Sequence, residues 1–216
     1  TIFGEFLGYF IAEGSFNSNN NKGSWFDFGI KLHQNEGHIL DRMELICVQL
    51  GLGNVKKSLY QSKKEKNGSG FVYNGVPGVV SFSSKSLWTW LKENVKSGCK
   101  NKRIPREAFT WTKEAQQALF FGLMQGDGCW YKEEGTPTGY YCTTSKQLID
   151  DFQQLCIQLG YRSTVKHHAV PKDQKVNSGE FWTASVSAIQ TYCIGQYNGK
   201  KFVEEVGYKG KVWCVT

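Results

Sequence analysis

At 216 residues, with 26 lysines and arginines against 19 acids, the chain carries a formal net charge of +7. No run approaches the roughly 18 apolar residues that a membrane span needs, which excludes a spanning helix and a membrane partner. The basic balance favours a polyanionic partner without specifying one. Seven scattered cysteines, none in a Cys-x-x-Cys pair, and four histidines fit reduced thiols in a cytosol-like compartment better than a zinc site or a disulfide framework.

From the start, Phe3, Leu7 and Phe10 recur at helical spacing over residues 1–14. Gly8 and Ala12 lie four apart and share one helix face. The run ends on Glu13-Gly14, and the glycine predicts a left-handed cap. Residues 15–24, rich in Asn, Gly and Ser, read as a loop. Residues 25–33 then alternate. Phe26, Phe28, Ile30 and Leu32 point one way, and Trp25, Asp27, Gly29, Lys31 and His33 the other, as in a strand with one apolar face. An amphipathic helix follows over 37–50, with Ile39, Leu40, Met43, Ile46, Cys47 and Leu50 inward and Gly51 as its cap. A strand is expected over 55–62, a basic glycine-containing hairpin loop over 63–70, and a strand interrupted by Pro77-Gly78 over 71–83. Residues 87–95, containing Trp88 and Trp90, predict a helix. A basic linker over 96–106 leads to Thr112, a suitable N-cap for the next helix.

From there the plan repeats. Ala115, Ala118, Leu119, Gly122, Leu123 and Gly126 recur at helical spacing, and this run ends on Asp127-Gly128. Ile46-Cys47-Val48-Gln49-Leu50-Gly51 matches Leu155-Cys156-Ile157-Gln158-Leu159-Gly160, and Leu40-Asp41 matches Ile149-Asp150. Residues 130–144 supply a strand pair, 146–159 a helix, and 161–170 and 181–187 further strands; a helical stretch then reaches about residue 197. The chain reads as an internal duplication: an α+β fold of two pseudo-symmetric α-β-β-α-β-β-α repeats, each with an antiparallel sheet. The first repeat with its basic linker takes 1–106 and the second 107–206. Residues 207–216 form a separate turn and strand.

Glycine inside a helix costs roughly 1 kcal/mol relative to alanine. Two helices touching backbone to backbone along Gly8, Ala12, Gly122 and Gly126 compensate for that, and they set Glu13 beside Asp127. A carboxylate at a helix C-terminus faces the negative end of the dipole, and here a second carboxylate adjoins it. A divalent cation relieves both problems, and an oxygen-rich site suits Mg²⁺.

The paired runs, Phe6-Leu7-Gly8-Tyr9-Phe10-Ile11-Ala12-Glu13-Gly14 and Phe120-Phe121-Gly122-Leu123-Met124-Gln125-Gly126-Asp127-Gly128, resemble the LAGLIDADG motifs of homing endonucleases in the monomeric two-repeat form. The resemblance covers nearly the whole chain. It implies that the motif helices form the central interface and that Glu13 and Asp127 bind the catalytic metals. The carbonyls of Ala12 and Gly126 would complete the metal shells, and a saddle of strands on each side would lie in the DNA major groove. Lys102, in Asn101-Lys102-Arg103-Ile104-Pro105, resembles the lysine block ahead of the second motif in intein endonucleases; the resemblance assigns it to water activation or phosphate charge. Lys200 or Lys201 is its second-half analogue, with Lys201 taken as the candidate. Gln34 resembles a water-positioning glutamine, with Thr143 or Thr144 as its repeat counterpart. DNA reading falls to the polar strand faces: Trp25, Asp27, Lys31 and His33 in the first half, Arg162, Thr164, Lys166 and His168 in the second. Gly210-Lys211-Val212-Trp213-Cys214-Val215-Thr216 resembles the strand near the C-terminal splicing block of inteins. Together these imply a monomeric, site-specific endonuclease that hydrolyses double-stranded DNA at a long non-palindromic target, leaving short 3′ overhangs. Mg²⁺ would be its cofactor, with Mn²⁺ substituting and Ca²⁺ supporting binding only. The rival expectation is a cleavage-deficient nucleic-acid-binding protein of the same fold, such as an intron RNA maturase.

Overall fold

The computed structural model describes residues 1–17, 28–60, 77–131, 138–169 and 179–188, together with the backbone of 196–197 and 200–201. Its first half runs α1 (Ile2–Glu13), β1 (Gly14–Phe16), β2 (Gly29–Gln34), α2 (Gly37–Gln49), β3 (Lys56–Leu59), β4 (Gly78–Ser83) and α3 (Lys85–Asn94). The second half runs α4 (Lys113–Asp127), β5 (Gly128–Trp130), β6 (Thr138–Thr143), α5 (Lys146–Gln158), β7 (Val165–Ala169) and β8 (Glu180–Ser187). Each half builds one four-stranded antiparallel sheet, ordered β1-β2-β4-β3 and β5-β6-β8-β7. The α+β duplication is therefore present in both element order and strand order.

The register also repeats. Gly14 pairs with Leu32, and Gly128 with Tyr141. This equates Leu32 with Tyr141, His33 with Cys142, and Gln34 with Thr143. The inward residues Ile30, Leu32, Val80 and Phe82 of one sheet, and Tyr141, Ala184 and Val186 of the other, are buried against the helices. Thr112 and Ser145 cap their helices by accepting from Ala115 N (3.4 Å) and Leu148 N (3.2 Å), the role that short hydroxyl side chains fill at an N-cap.

The two halves meet along α1 and α4, where the chain leaves no room for side chains. A Cβ at Gly8 would lie 2.7 Å from Leu123 N and 2.8 Å from Gly122 Cα. One at Gly122 would lie 2.5 Å from the Glu5 carbonyl oxygen and 3.0 Å from Gly8 Cα. Gly4 meets the carbonyl of Ala115 in the same way, and Gly126 meets Ala12 Cβ. Glu5, only 8% exposed, ties this seam to α2 through a bidentate pair with Arg42, at 2.8 Å from Nε and 2.6 Å from Nη2.

Several boundaries differ from the sequence expectation. Gly14 (φ −79°) and Gly128 (φ −94°) are extended, not left-handed. Each acid is followed at once by a strand, β1 standing where the loop over 15–24 was expected to begin. The glycines are needed for space: a Cβ would press on the Phe10 ring at Gly14 and lie 2.5 Å from the Met124 carbonyl oxygen at Gly128. Among the described residues, the strand expected over 55–62 spans Lys56–Leu59, and the one over 161–170 spans Val165–Ala169, with Arg162 bridging Ser187 ahead of it. Where a helix was expected to reach residue 197, β9 (Gln196–Tyr197) pairs antiparallel with β10 (Lys200–Lys201). The rest of that stretch, the hairpin loop at 63–70, Trp25, Asp27 and residues 207–216 lie outside the described residues. Among the described residues no helix is long and apolar enough to cross a membrane.

Overpacking a close contact costs typically about 1–3 kcal/mol, so Gly8→Ala and Gly122→Ala should each lower unfolding stability by at least that much. At Gly37, the first residue of α2, an added Cβ meets nothing within 4 Å. Gly37→Ala should therefore be neutral or gain up to about 1 kcal/mol from helix propensity. Urea titrations of the three variants check the contrast.

Candidate active site and nucleic-acid interface

Glu13 and Asp127 are the last residues of α1 and α4, and the glycine seam brings them together. A Cβ on Gly126 would sit 3.3 Å from Glu13 Cγ. Burial pushes the Glu13 carboxyl above its usual range, against the pull of Lys102. Asp127 is pushed up to about 7, first by burial and then by Glu13, again opposed by Lys102. Solvent still reaches the Asp127 side chain, which tempers its desolvation. Beneath them, the Tyr141 hydroxyl is buried with no hydrogen-bond partner, and its pKa is raised by burial and then by Asp127.

Lys102 arrives from the linker. Its backbone carbonyl accepts from Ser145 Oγ at 2.7 Å, and the next anchor is Ile104 N donating to Asp151 Oδ2 at 3.0 Å, so the second repeat pins the linker. The ammonium crosses to the first repeat and donates to the α1 carbonyls of Phe10 (3.2 Å), Ile11 (2.7 Å), Ala12 (3.4 Å) and, just beyond, Gly14 (2.8 Å). This places a positive charge on the negative end of α1, where a cation is favoured. Burial lowers the Lys102 pKa to about 8, while Asp127 and then Glu13 hold it up.

Gln34 also has a structural task. Its Oε1 accepts from Asn35 N (2.7 Å) and Glu36 N (3.3 Å) at the entrance to α2. Thr143 Oγ1 accepts from Ser145 N (3.2 Å) at the entrance to α5. The register and this shared role settle the repeat counterpart of Gln34 as Thr143. Lys201 is described by its backbone alone, in β10.

The strand register puts Lys31 and His33 on the face of the first sheet opposite the helices, beside Ser15 and Ser81. His33 Nε2 lies 3.2 Å from Ser15 Oγ, and burial, then Lys31 and Lys102, lowers its pKa. Lys31 and Lys56 line one trough with Asn17, Asn54 and Ser81. Neither has an acidic partner among the described residues, whereas Lys57, next along β3, is neutralised by Asp41 (2.8 Å) and Glu44 (2.6 Å). On the second sheet Arg162, Thr164, Lys166 and His168 share the corresponding face. There His168 Nε2 lies 2.9 Å from Thr183 Oγ1, and its ring stacks on Phe181 at 4.6 Å.

The sequence reading missed Lys56, whose place beside Lys31 depends on β3 and β2 both pairing with β4. It also missed Cys99 and Cys142, which line a pocket with Ala12, Lys102, Asp127, Thr143 and Thr144. The equation of Cys142 with His33 would have pointed to one of them.

The donor set at the helix ends consists of carboxylate and carbonyl oxygens, with an ammonium already lodged as a stand-in cation. Such a set fits a hard divalent ion. Among the described residues no cluster of three or more His, Cys, Asp or Glu is assembled.

A LAGLIDADG-like domain model matches residues 1–94 and 114–207, so the chain belongs to the LAGLIDADG family. It is similar to the ATP-dependent DNA helicase Hel308 of Thermococcus kodakarensis, with 35% identity over 40% of this chain. It is also similar to a DNA polymerase of Thermococcus sp. (strain GE8), with 24% identity over 73% of this chain. The chain spans only 8% of the length of each of these two curated relatives. Among solved structures, a variant of the homing endonuclease I-DmoI with its target DNA in the presence of Mn superposes with TM-score 0.54 at 15% identity, over 86% of each chain. The full-length DUF199/WhiA of Thermatoga maritima superposes equally well, TM-score 0.54 at 9% identity, over 88% of this chain and 51% of its own. The fold is thus that of homing endonucleases, and it is shared with WhiA.

A carboxyl whose folded pKa lies above its unfolded value lends stability that is present at low pH and lost as pH rises through the folded value. For Asp127 that window runs from 3.8 to about 7. Without metal, Asp127→Asn should therefore melt at a higher temperature than the unaltered protein at pH 8. The gap should close toward pH 4. Thermal melts across that range check it.

Proposed function

We propose that the chain is a site-specific endonuclease that hydrolyses double-stranded DNA with a divalent metal, Mg²⁺ or Mn²⁺. One observation carries the reading: two helices packed backbone against backbone at Gly4, Gly8 and Gly122 end on adjacent carboxylates, each followed directly by a strand. Glu13 and Asp127 hold the ion, helped by the Ala12 and Gly126 carbonyls. A bound divalent ion supplies an activated water and charge neutralisation at the phosphate. Lys31 and Lys56 meet backbone phosphates, and His33, Thr164 and Lys166 face base edges along the two strand surfaces. Lys102 and the second-half Lys201 are the cations available to the scissile phosphates, and Gln34 orients water through the amide nitrogen its cap leaves over. Residues 1–106 and 107–206 act as the two half-site units of one monomer. Because the halves differ in side chains, the target is long and non-palindromic. A helicase and a polymerase, each matched over 8% of its length, support a portable segment carried inside unrelated hosts, as an intein endonuclease would be.

A second reading, a cleavage-deficient nucleic-acid-binding protein of this fold, is favoured by the engagement of both Lys102 and Gln34 in capping. Glu13→Gln and Asp127→Asn decide between them. Both keep size and remove the charge a hard ion needs. On a target selected from random duplex DNA with Mg²⁺, each variant should lose cleavage by at least about a hundredfold, the scale of losing one essential charge at a catalytic centre. DNA binding in Ca²⁺ should persist. Cutting at unaltered rates would end the case for this site, and a protein that binds but never cuts would establish the second reading.

A further inference from the structure

Lys102 has a use that neither phosphate contact nor water activation explains. An ammonium has three donors and no acceptor, and four carbonyl oxygens surround this one within 3.4 Å. While it sits there, its three N–H groups are shared among these four carbonyls. Carbonyls in the last turn of a helix carry partial negative charge, and although Phe10 O already accepts from Gly14 N, the cluster favours a cation. Glu13 and Asp127 add two carboxylates at the same place, and both attract this ammonium. Its anchor is independent of α1: Ser145 and Asp151 of the second repeat hold the linker, leaving the flexible methylene stem to carry the charge across. The stem can swing without moving the backbone, and the pocket beside it, lined by Cys99, Asp127, Cys142, Thr143 and Thr144, gives it somewhere to go.

We propose that Lys102 is the resident cation of the metal-free site, and that its ammonium and a divalent ion are alternative occupants of the Ala12 carbonyl between Glu13 and Asp127. Metal entry then displaces the ammonium from the α1 carbonyls and frees its donors toward the pocket. One residue thereby serves as a helix cap before loading and as an available cation afterwards. The inference rests on the metal-dependent reading of the site and is tested without cleavage.

Mn²⁺ binding is titrated without DNA by electron paramagnetic resonance on the unaltered chain, Lys102→Met and Glu13→Gln. Removing a competing unit charge at close range in a partly buried site should tighten Mn²⁺ binding to Lys102→Met by about tenfold or more, while Glu13→Gln weakens it. A mere structural cap gives the opposite sign, because a frayed α1 end would hold the ion less well. A second measurement uses the unaltered protein and does not depend on the variant folding. Amine acetylation read by mass spectrometry should find Lys102 protected without metal and reactive in Ca²⁺. Equal or weaker Mn²⁺ affinity in a folded Lys102→Met, or no change in labelling on saturating metal, overturns the competition while leaving the endonuclease reading intact. Mn²⁺ binding that ignores Glu13→Gln overturns both.

Discussion

Everything in this molecule follows from the contact of α1 with α4. At Gly8 and Gly122 the two backbones approach so closely that a single methyl on either would strike the other helix. The contacts of Gly4 with Ala115, Gly8 with Gly122 and Gly126 with Ala12 fix the register of the two helices and bring their last residues, Glu13 and Asp127, together. Since a strand begins at the residue after each acid, the same contact sets where both sheets start. Gly14 and Gly128 tighten this further. They let the chain turn from helix to strand over the Phe10 ring and the Met124 backbone, with no loop to blur the position of the acids.

The contact creates an electrostatic problem that the linker answers. Two helix C-termini and two carboxylates meet at one point; burial raises both acids out of their ordinary range, and Glu13 raises Asp127 further. The compensating charge comes from neither motif helix. It comes from Lys102, held by the second repeat through Ser145 and Asp151 and by α3 through Arg103, whose Nε and Nη2 donate to the Asn94 and Glu93 carbonyls at 2.9 and 3.1 Å. A charge needed by α1 is thus positioned by the second repeat. That couples docking of the two halves to the electrostatics of the site.

The sequence made the duplication legible because it leaves marks at fixed spacing: small residues four apart, an acid-glycine pair closing each run, and the Leu/Ile-Cys-x-Gln-Leu-Gly block ending α2 and α5. Those marks were enough to place Glu13 beside Asp127. The geometry of helix exit was not legible, because glycine satisfies both a left-handed cap and a crowded extended turn, and only the position of the Phe10 ring distinguishes them. Lys102 could be singled out, yet its partners could not: hydrogen bonds across more than 80 residues of separation depend on how the linker docks on α5. Lys56 escaped notice for a related reason. Its significance comes from sharing a face with Lys31, and that follows from cross-strand register, which a short exposed Lys-Lys-Ser-Leu strand does not announce.

The two outer strand faces, equivalent by register, carry unlike chemistry. The first presents Lys31 and Lys56 around Ser81 with no acid to neutralise them among the described residues, next to a Lys57 that is neutralised. The second spends several of its polar groups on itself: His168 on Thr183 and Phe181, and Ser185 Oγ accepting from Thr164 N at 3.0 Å. Groups already satisfied within the sheet gain less from a new partner than groups held bare, because each must break one hydrogen bond to form another. On a nucleic acid, both faces would contribute to the salt-sensitive attraction to phosphate, through Lys31 and Lys56 in the first half and Arg162 and Lys166 in the second. The second would add ring contact through His168 and Phe181. A duplicated fold whose halves have diverged this way presents no twofold symmetry to its partner, which argues that an asymmetric site suits it better than a palindrome.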